Sequence, residues 1–300
     1  MSDHKYAVFI LTHGRPNKVK TVPALQKYGY TGDVYLVCDN LDPTLSEYQS
    51  IYGDQVIVFD KIEAQKITDS GDNFESKAAV VFARNAVRQI AKDLGLDYYI
   101  VLDDDYCQFR YMLDKNHDPC KKLHCIWNMD RVCDIMVEYL HNTPRMTSFA
   151  MAQTGEMMGG ARRDNTGPIR KVMNFFVFST ERDYEFMGKI NEDVNLYVSD
   201  GFKGGLHLTT RRICLQQSQT QLNAGGLTDI YLELGTYIKS FYSVMYQPSC
   251  VSIKPMGITN RRLHHSIDWR HTVPKILNPK YSRISDRKTE SDTWEKDPES

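Results

Sequence analysis

The sequence predicts an α/β fold in which a mostly parallel central sheet is flanked by helices. Strand and helix signals alternate through the first half of the chain, and the strand signals there are continuous apolar runs. Such runs are typical of strands buried on both faces, because helices cover both faces of a parallel sheet. A chain of 300 residues with 41% apolar content also forms a sizeable core. Ligands of sheets of this kind bind at the carboxyl ends of the strands.

The first half contains four predicted strands and two predicted helices. The strands cover residues 6–11, 33–38, 55–59 and 98–102. The helices cover residues 18–28 and 75–94. In the second helix, apolar residues recur at steps of three and four, and Gly95 supplies a stop. The polar sequences that follow the strands therefore fall at the ligand-binding edge.

The second half alternates less regularly. Helices are predicted at residues 123–140 and 227–246, and strands at 147–152, 172–179 and 206–215. We expect one domain over residues 1–277, divided into a first half of about 1–115 and a second half of about 116–277. Residues 278–300 are polar, with too little apolar surface to offset ordering, and are predicted to be a flexible tail.

Composition limits the classes of function. The formal net charge of −1 gives no global attraction to nucleic acid, so a polyanion would need a local basic patch. No apolar stretch approaches the roughly 18 residues of a membrane span, and we expect no membrane association. Seven scattered cysteines without a CxxC pair favour reduced thiols, and hence a cytoplasmic protein. The spacing of His117, Cys120, His124 and Cys125 is too irregular to favour a zinc site.

Three consecutive carboxylates follow the predicted strand 98–102, at Asp103, Asp104 and Asp105. Adjacent like charges resist desolvation, so their place against a buried strand is most favourable if a cation offsets them. Strand alternation places Asp103 and Asp105 on one side, where both are candidate ligands of Mn²⁺ or Mg²⁺. On local sequence alone, a solvated acidic turn explains the run equally well.

Polar residues at the other strand ends and on the second helix suit an anionic nucleotide. A hydroxyl, cations and an amide are candidates for contacts to its phosphates, and a carboxylate is a candidate acceptor of hydrogen bonds from its ribose or base. These candidates are Thr12, Arg15, Asp39, Lys77, Arg84 and Asn85. A plain loop and a solvated helix face are the alternatives. Neither GxGxxG nor GxxxxGK[ST] occurs, which argues against a dinucleotide fold and a P-loop phosphotransferase.

Four features, taken together, resemble the GT-A fold of nucleotide-sugar glycosyltransferases over about residues 5–275. They are THGRP after the first strand, Asp39, ARN on the helix and the DDD run. The resemblance implies that the aspartate run binds the metal and the donor pyrophosphate, with Asp104 beside the donor. It also implies that NED at 191–193 supplies the catalytic base, as Asp193 or Glu192. A downstream histidine, His264 or His265, would complete the metal or phosphate shell.

A narrower resemblance rests on NEDVNLYVSDGFKGG and RRLHHSIDWR. These segments resemble the TET/JBP-associated glycosyltransferases, a group that includes phage enzymes acting on 5-hydroxymethylpyrimidines in DNA. The resemblance implies a UDP-sugar donor and an acceptor such as 5-hydroxymethylcytosine in DNA. It would place the protein in the host cytoplasm if it is phage-encoded.

The local distribution of charge provides a candidate surface for binding a DNA acceptor. Residues 254–288 carry nine lysines and arginines against two aspartates, a net +7, and a second basic stretch lies at 162–171. Candidate DNA contacts are Arg261, Arg262, Trp269, Arg270, Lys275, Arg162 and Arg163. Trp269 is a candidate platform for an extruded base. A solvated basic segment is the alternative interpretation.

The sequence thus predicts metal-assisted sugar transfer, in which the metal stabilises the departing diphosphate and Asp193 accepts the acceptor's proton if the reaction inverts the anomeric centre. Three other functions remain open: a glycosyltransferase acting on a protein or small molecule, a nucleotidyltransferase, and a DNA-binding module without catalysis.

Overall fold

The computed structural model describes residues 4–71, 80–113, 119–153, 168–217, 238–257 and 262–273. The strands in this part of the chain are β1 (Tyr6–Leu11), β2 (Val34–Asp39), β3 (Val56–Phe59), β4 (Tyr98–Asp103), β5 (Tyr106–Leu113), β6 (Pro119–Cys125), β7 (Met146–Gln153), β8 (Asn174–Ser179), β9 (Leu206–Gln217), β10 (Val251–Met256) and β11 (Arg262–Ile267). The helices are α1 (Thr21–Lys27), α2 (Leu45–Tyr52), α3 (Lys61–Ile67), α4 (Val81–Asp93), α5 (Met129–His141), α6 (Glu192–Phe202), α7 (238–246) and α8 (Trp269–Thr272). Short 3-10 helices cover Pro16–Lys18 and Gly53–Gln55.

Nine of the described strands form one sheet in the order β3-β2-β1-β4-β8-β7-β9-β5-β6. The first four are parallel neighbours, as the βαβ alternation predicts. In the other part, β8 and β5 each pair antiparallel with both neighbours, so seven of these nine strands point the same way. The predicted α/β class, with a mostly parallel sheet flanked by helices, is confirmed.

The two faces of the sheet bury different layers. One core contains the apolar side chains of α1 and α5, with Tyr48 from α2. The other contains those of α4 and α6, together with residues from the two-stranded β10-β11 sheet. Alternate residues of each strand enter alternate cores, because side chains along a strand point to opposite faces. This alternation decides what each of the adjacent aspartates meets.

Parallel pairing gathers the predicted ligand-binding ends. The last residue of β1, Leu11, pairs with Val37 of β2 and with Asp103 of β4. Thr12, Asp39 and Asp103 therefore lie side by side at one edge of the sheet. The edge was predicted from the order of elements alone.

Helix 123–140 was predicted about six residues too long at its start, since β6 pairs antiparallel with β5 and α5 begins only at Met129. The Asn128 side chain accepts a hydrogen bond from the Arg131 backbone N–H, which fixes the helix start there. Of the predicted helices 75–94 and 227–246, the described parts are α4 and α7. The predicted tail 278–300 lies outside the described residues, and the domain boundaries stay predictions.

Helix α6 packs closely against α8 at a glycine. A Cβ on Gly201 would lie 2.1 Å from the backbone oxygen of Thr272. Real Cβ atoms do not approach backbone that closely, so only glycine allows this helix contact. The contact holds the C-terminal β11-α8 segment against the helix that carries the NED motif.

Candidate active site

Asp103, the last residue of β4, faces the α4 and α6 side of the sheet, like Val101 two residues before it. Its Oδ1 accepts a hydrogen bond of 3.1 Å from Arg84 Nη2, and its Oδ2 accepts one of 3.2 Å from the Tyr106 hydroxyl. The side chain stays 31% exposed. Asp103 is therefore both fixed in direction and open to a ligand.

Arg84 of α4 joins this aspartate to the NED motif. Its Nε donates a hydrogen bond of 3.0 Å to Glu192 Oε1, while its Nη2 contacts Asp103. The guanidinium is 4% exposed and lies over the rings of Phe176 and Phe186. A cation this deeply buried needs paired anions, so the two carboxylates are held at a fixed separation by one planar group.

Asp104 points to the opposite face of the sheet, where two side chains hold it by hydrogen bonds. Arg15 donates to both of its oxygens, at 2.7 and 2.8 Å, and the Thr12 hydroxyl donates to Oδ2 at 2.7 Å. Asp104 is 1% exposed, and Thr12 also contacts the Tyr48 hydroxyl. These bonds hold the first loop against the aspartate run, and strand alternation turns Asp104 away from Asp103; the donor-binding role of the three side chains stays a prediction.

Asp105 lies in the turn after β4 and keeps part of its surface exposed. Burial, together with the charges of Asp103 and Asp104, raises its pKa to about 7. A carboxyl in this position gains from a nearby divalent cation, which would favour its ionised form.

The NED motif opens α6. Asn191 precedes the helix with φ of 56°, a left-handed conformation that asparagine tolerates, and Glu192 and Asp193 occupy the first turn. Burial raises the pKa of Glu192 to about 7 against the opposing effect of Arg84. The surrounding protein also raises the pKa of Asp193, whose side chain remains partly exposed. The Glu192 carboxylate is paired with Arg84, so Asp193 is the candidate proton acceptor.

His265 on β11 is buried, and both of its ring nitrogens lack a hydrogen-bond partner among the described residues. Burial lowers its pKa to about 3, with smaller effects from His264, Lys171 and Lys239. The same two lysines act on Asp193. A neutral imidazole whose buried nitrogens lack a hydrogen-bond partner among the described residues is suited to a metal ion or a phosphate.

Helix α7 connects this histidine to the NED motif. Asn191 Nδ2 donates to the backbone oxygen of Lys239 at 2.6 Å, and Ser240 Oγ donates to the backbone oxygen of Leu263 at 2.9 Å. The neighbouring His264 ring contacts the His265 oxygen through Nδ1 at 2.7 Å, and burial lowers its pKa. His265 is therefore the better candidate ligand, because its ring nitrogens have no hydrogen-bond partner among the described residues.

Asp39, at the end of β2, is held by two cations that the sequence did not single out. His13 Nδ1 lies 2.8 Å and Lys61 Nζ 3.1 Å from its Oδ2. Burial alone would raise the pKa of Asp39, but His13 and Lys61 bring it below its ordinary value. Asp39 is thus ionised at the donor edge, and its role toward ribose or base stays a prediction.

The remaining predicted residues are placed as follows. Asn85 forms hydrogen bonds with the backbone N–H and oxygen of Phe186, so it anchors that segment to α4. Trp269 stacks on Tyr197 at 5.8 Å, and exposed Arg270 pairs with Asp268; their roles toward DNA stay predictions. Arg262 is exposed on β11. Lys77, Arg162, Arg163, Arg261 and Lys275 lie outside the described residues.

Lys61, Lys171 and Lys239 contribute to the site although the sequence gave no periodic or motif signal for them. Each acts on a carboxylate or imidazole from a distant part of the chain. Only a basic character near residue 171 was visible in the sequence.

The donor set fits a divalent metal. Among the described residues, no three His, Cys, Asp or Glu side chains converge into a closed metal site. Mg²⁺ and Mn²⁺ in nucleotide enzymes use one or two carboxylates and take further oxygens from phosphates and water. Asp103 and Asp105 would supply those two carboxylates, and His265 would add a nitrogen ligand that Mn²⁺ accepts.

A protein-family comparison identifies the relatives of this chain. The model of the TET-Associated Glycosyltransferase family matches residues 6–226. The chain belongs to this family. The match includes β1, the aspartate run, Arg84 and the NED motif, and it confirms both the predicted family and the glycosyltransferase activity. No curated protein matches the sequence.

Solved structures provide distant likenesses. An S. aureus TarS fragment aligns with a TM-score of 0.45 at 10% identity, and the alignment covers 80% of this chain and 65% of the fragment. Glucosyl-3-phosphoglycerate synthase from Mycobacterium tuberculosis, in complex with Mg²⁺ and uridine diphosphate, aligns with a TM-score of 0.45 at 8% identity over 88% of each chain. Family membership, and not these likenesses, carries the functional conclusion.

None of the helices described in the structure combines the length and apolar character needed to cross a membrane.

Proposed function

We propose that this glycosyltransferase is metal-dependent and moves a sugar from a UDP-sugar to the hydroxyl of 5-hydroxymethylcytosine, or another hydroxymethylated base, in DNA. The observation that carries the proposal is the Arg84 bridge, which holds Asp103 of the aspartate run and Glu192 of the NED motif on one guanidinium. The metal-binding carboxylate and the helix turn that carries the candidate base Asp193 are thereby fixed relative to one another, as transfer between two bound substrates requires.

On the donor side, Asp103 and Asp105 would hold Mn²⁺ or Mg²⁺, with His265 as a further ligand to metal or phosphate. The metal, when bound, supplies positive charge to the diphosphate that leaves. Lys171 and Lys239, near His265, add fixed positive charge in the same region. The ionised Asp39 at the neighbouring strand end would accept hydrogen bonds from the nucleoside.

On the acceptor side, Asp193 would receive the proton of the attacking hydroxyl. The hydroxyl oxygen bonds to the anomeric carbon, the bond from that carbon to the diphosphate oxygen breaks, and the proton passes to Asp193. The raised pKa of Asp193 suits this role, because a carboxylate with a higher pKa is a stronger base. Glu192 would hold Arg84 rather than the proton.

The DNA acceptor is supported by the family and by exposed Arg262 on the strand that carries His265. The described cysteine side chains are free thiols, which supports a cytoplasmic setting, the host cytoplasm if the protein is phage-encoded. Hydroxymethylated bases lie in the major groove and would need extrusion to reach a buried donor.

The direct test incubates the protein with a panel of UDP-sugars and duplex DNA, with and without 5-hydroxymethylcytosine, in Mn²⁺, Mg²⁺ or chelator. We expect release of UDP and a mass gain of one sugar on the hydroxymethylated duplex alone, lost in chelator. Transfer to a protein or small molecule in preference to DNA would leave the glycosyltransferase activity intact and refute the acceptor. Release of pyrophosphate from UTP and a sugar phosphate would identify a nucleotidyltransferase instead.

A further inference from the structure

Tyr197, on α6, carries a hydroxyl that is buried and has no hydrogen-bond partner among the described residues. The residue is 2% exposed. A buried hydroxyl without a partner is unfavourable, and most such groups in folded proteins are paired with protein or water. A phenylalanine would fill the same space without this cost. The Tyr197 hydroxyl is therefore an available hydrogen-bond donor inside the protein.

Packing against α8 holds the Tyr197 ring in one direction. The ring stacks on Trp269 with centroids 5.8 Å apart and an angle of 12° between the planes. Trp269 begins α8, and the backbone of Thr272, at the other end of that helix, lies against Gly201. The two helices therefore run side by side, in contact at both ends of α8. The ring cannot swing away without breaking this packing, so the hydroxyl keeps its position.

The candidate base Asp193 lies one helical turn before Tyr197 on the same helix. Side chains of a helix point back toward its N-terminus, so residues four positions apart lie one above the other on one face. Burial and the charge of Asp193 both raise the pKa of the Tyr197 hydroxyl. The hydroxyl therefore stays protonated at neutral pH, and the nearby carboxylate is an acceptor of matching charge.

Asp193 has the capacity to accept a hydrogen bond from this hydroxyl. It accepts one from the Val194 backbone N–H, and its side chain remains partly exposed. A carboxylate has about four acceptor positions, so further bonds are open to it. The other charged groups that act on Asp193 are Arg84 from α4, Lys239 from α7, Lys171 from the segment before β8 and Glu192 beside it on α6.

We infer that Tyr197 is a positioning residue for the base, and that its hydroxyl donates a hydrogen bond to the Asp193 carboxylate in the substrate complex. The inference rests on the proposed function, in which Asp193 accepts the proton of the acceptor hydroxyl. Catalytic hydrogen bonds are often long in a protein without substrates and tighten in the complex. The partly exposed Asp193 side chain turns toward the fixed ring of Tyr197. The bond then orients the carboxylate and favours its ionised form.

The test compares Tyr197→Phe with the matched control Ser199→Ala in the full chain. Both variants lose a buried hydroxyl on α6 that has no partner among the described residues. Ser199 lies about 200° around the helix from Tyr197, on a different face. Single-turnover transfer from the UDP-sugar that the donor panel identifies to a 5-hydroxymethylcytosine duplex is measured from about pH 4 to 9. UDP affinity and melting temperature are measured on the same proteins, with Asp193→Asn as a reference.

Tyr197→Phe should move the acid limb of the rate to higher pH by roughly 0.5 to 1 unit, because the Asp193 carboxylate loses a donor and its pKa rises. The plateau rate should fall about tenfold, since the carboxylate is no longer oriented. UDP affinity should persist, and melting should not be earlier, because the ring and its stacking are kept. Ser199→Ala should keep the wild-type limb and plateau.

Two outcomes separate this inference from the proposed function. A wild-type acid limb in Tyr197→Phe, with that limb lost in Asp193→Asn, overturns the role of Tyr197 and spares Asp193 as the base. An acid limb that persists in Asp193→Asn, or a wild-type protein that transfers no sugar to the hydroxymethylated duplex, overturns the proposed function and this inference with it.

Discussion

Two buried clusters of the same chain use similar residues in opposite ways. The Arg84 cluster consists of Arg84, Asp103, Glu192 and Asp193, and two of its three carboxyls have raised pKa values. The Asp200 cluster consists of Thr147, Ser148, Asp200 and His207. There, Ser148 Oγ lies 2.8 Å from His207 Nδ1, and His207 Nε2 lies 2.8 Å from Asp200 Oδ2.

The Asp200 cluster has the residue types of a nucleophilic triad, yet its geometry is structural. Ser148 is fully buried, so no substrate reaches it. Thr147 donates to Asp200 at 2.6 Å, and together with His207 it outweighs burial to lower the pKa of Asp200. A Cβ on Gly205 would lie 1.9 Å from the Asp200 oxygen, which shows how closely the chain packs around it. Its polar atoms are matched within the protein.

The difference shows that satisfied polar clusters stabilise a fold, whereas clusters left with unfavourable charge or unpaired atoms mark a site for a ligand. In the candidate active site, Asp105 meets like charges, Glu192 and Asp193 are adjacent, and His265 has no partner among the described residues. The Arg84 cluster should therefore control activity and the Asp200 cluster stability.

The largest expected effect comes from the aspartate run. Asp103→Asn and Asp105→Asn should each lower transfer by about 10³-fold, because each removes charge from the metal ligands. Isothermal titration with Mn²⁺ and UDP should show weaker binding in both variants. Thermal melting should stay close to wild type in Asp105→Asn, whereas Asp103→Asn should melt earlier because it takes one of the two anions from buried Arg84. Near-normal turnover in both variants would remove the aspartate run from catalysis.

Asp193→Asn should slow the chemical step by about 10²-fold, since it keeps shape and hydrogen bonding but loses basicity. Single-turnover quenched-flow measures that step, and UDP affinity measured beside it should persist. Weaker UDP affinity at an unchanged chemical rate would make Asp193 a binding residue instead.

Arg84 variants test whether the bridge itself matters. Arg84→Lys keeps the charge but not the two-pronged contact, so kcat should fall by about tenfold with a smaller change in KM. Arg84→Gln leaves buried carboxylates unpaired and should lower the free energy of unfolding by about 3–5 kcal/mol. Urea unfolding and steady-state kinetics on both variants separate the two effects. Full activity in Arg84→Lys would show that charge alone suffices.

Substitutions in the Asp200 cluster should change the stability of the protein rather than its activity. Asp200→Asn should lower the free energy of unfolding by about 1–3 kcal/mol, because it weakens the bond to His207. The single-turnover rate of the folded protein should stay within about twofold of wild type. A large loss of rate at preserved stability would show that this cluster has a catalytic role after all.

The smallest effect, a pH trend, should have opposite signs in the two clusters. The pKa of Glu192 is raised from 4.5 to about 7, so the folded state holds its proton longer. Wild-type stability relative to Glu192→Gln should therefore fall as pH rises from about 4.5 to 7. The pKa of Asp200 is lowered, so wild-type stability relative to Asp200→Asn should instead fall as pH drops below about 4. Melting temperatures across about pH 2 to 8 check both signs, and parallel trends would refute the contrast.

The sequence by itself determined the fold class, the bounds of β1, the apolar helix that became α4 and the place of the aspartate run at a strand end. These features depend on local periodicity and on the order of elements, which reflect burial of neighbouring side chains. The same local signals extended the predicted helix 123–140 over residues that form β6, because strand pairing between distant segments leaves little trace in periodicity.

Only the tertiary structure decided how the polar residues are used. Asp103 and Asp104 are adjacent in sequence, yet one faces Arg84 and the other is held by Arg15, 89 positions away along the chain. Arg84 meets Glu192 across 108 positions. A charged side chain can take many partners of opposite sign, and its partner is chosen by packing of the whole sheet and its helices. For that reason the sequence predicted which chemistry was present, and the fold determined which groups perform it.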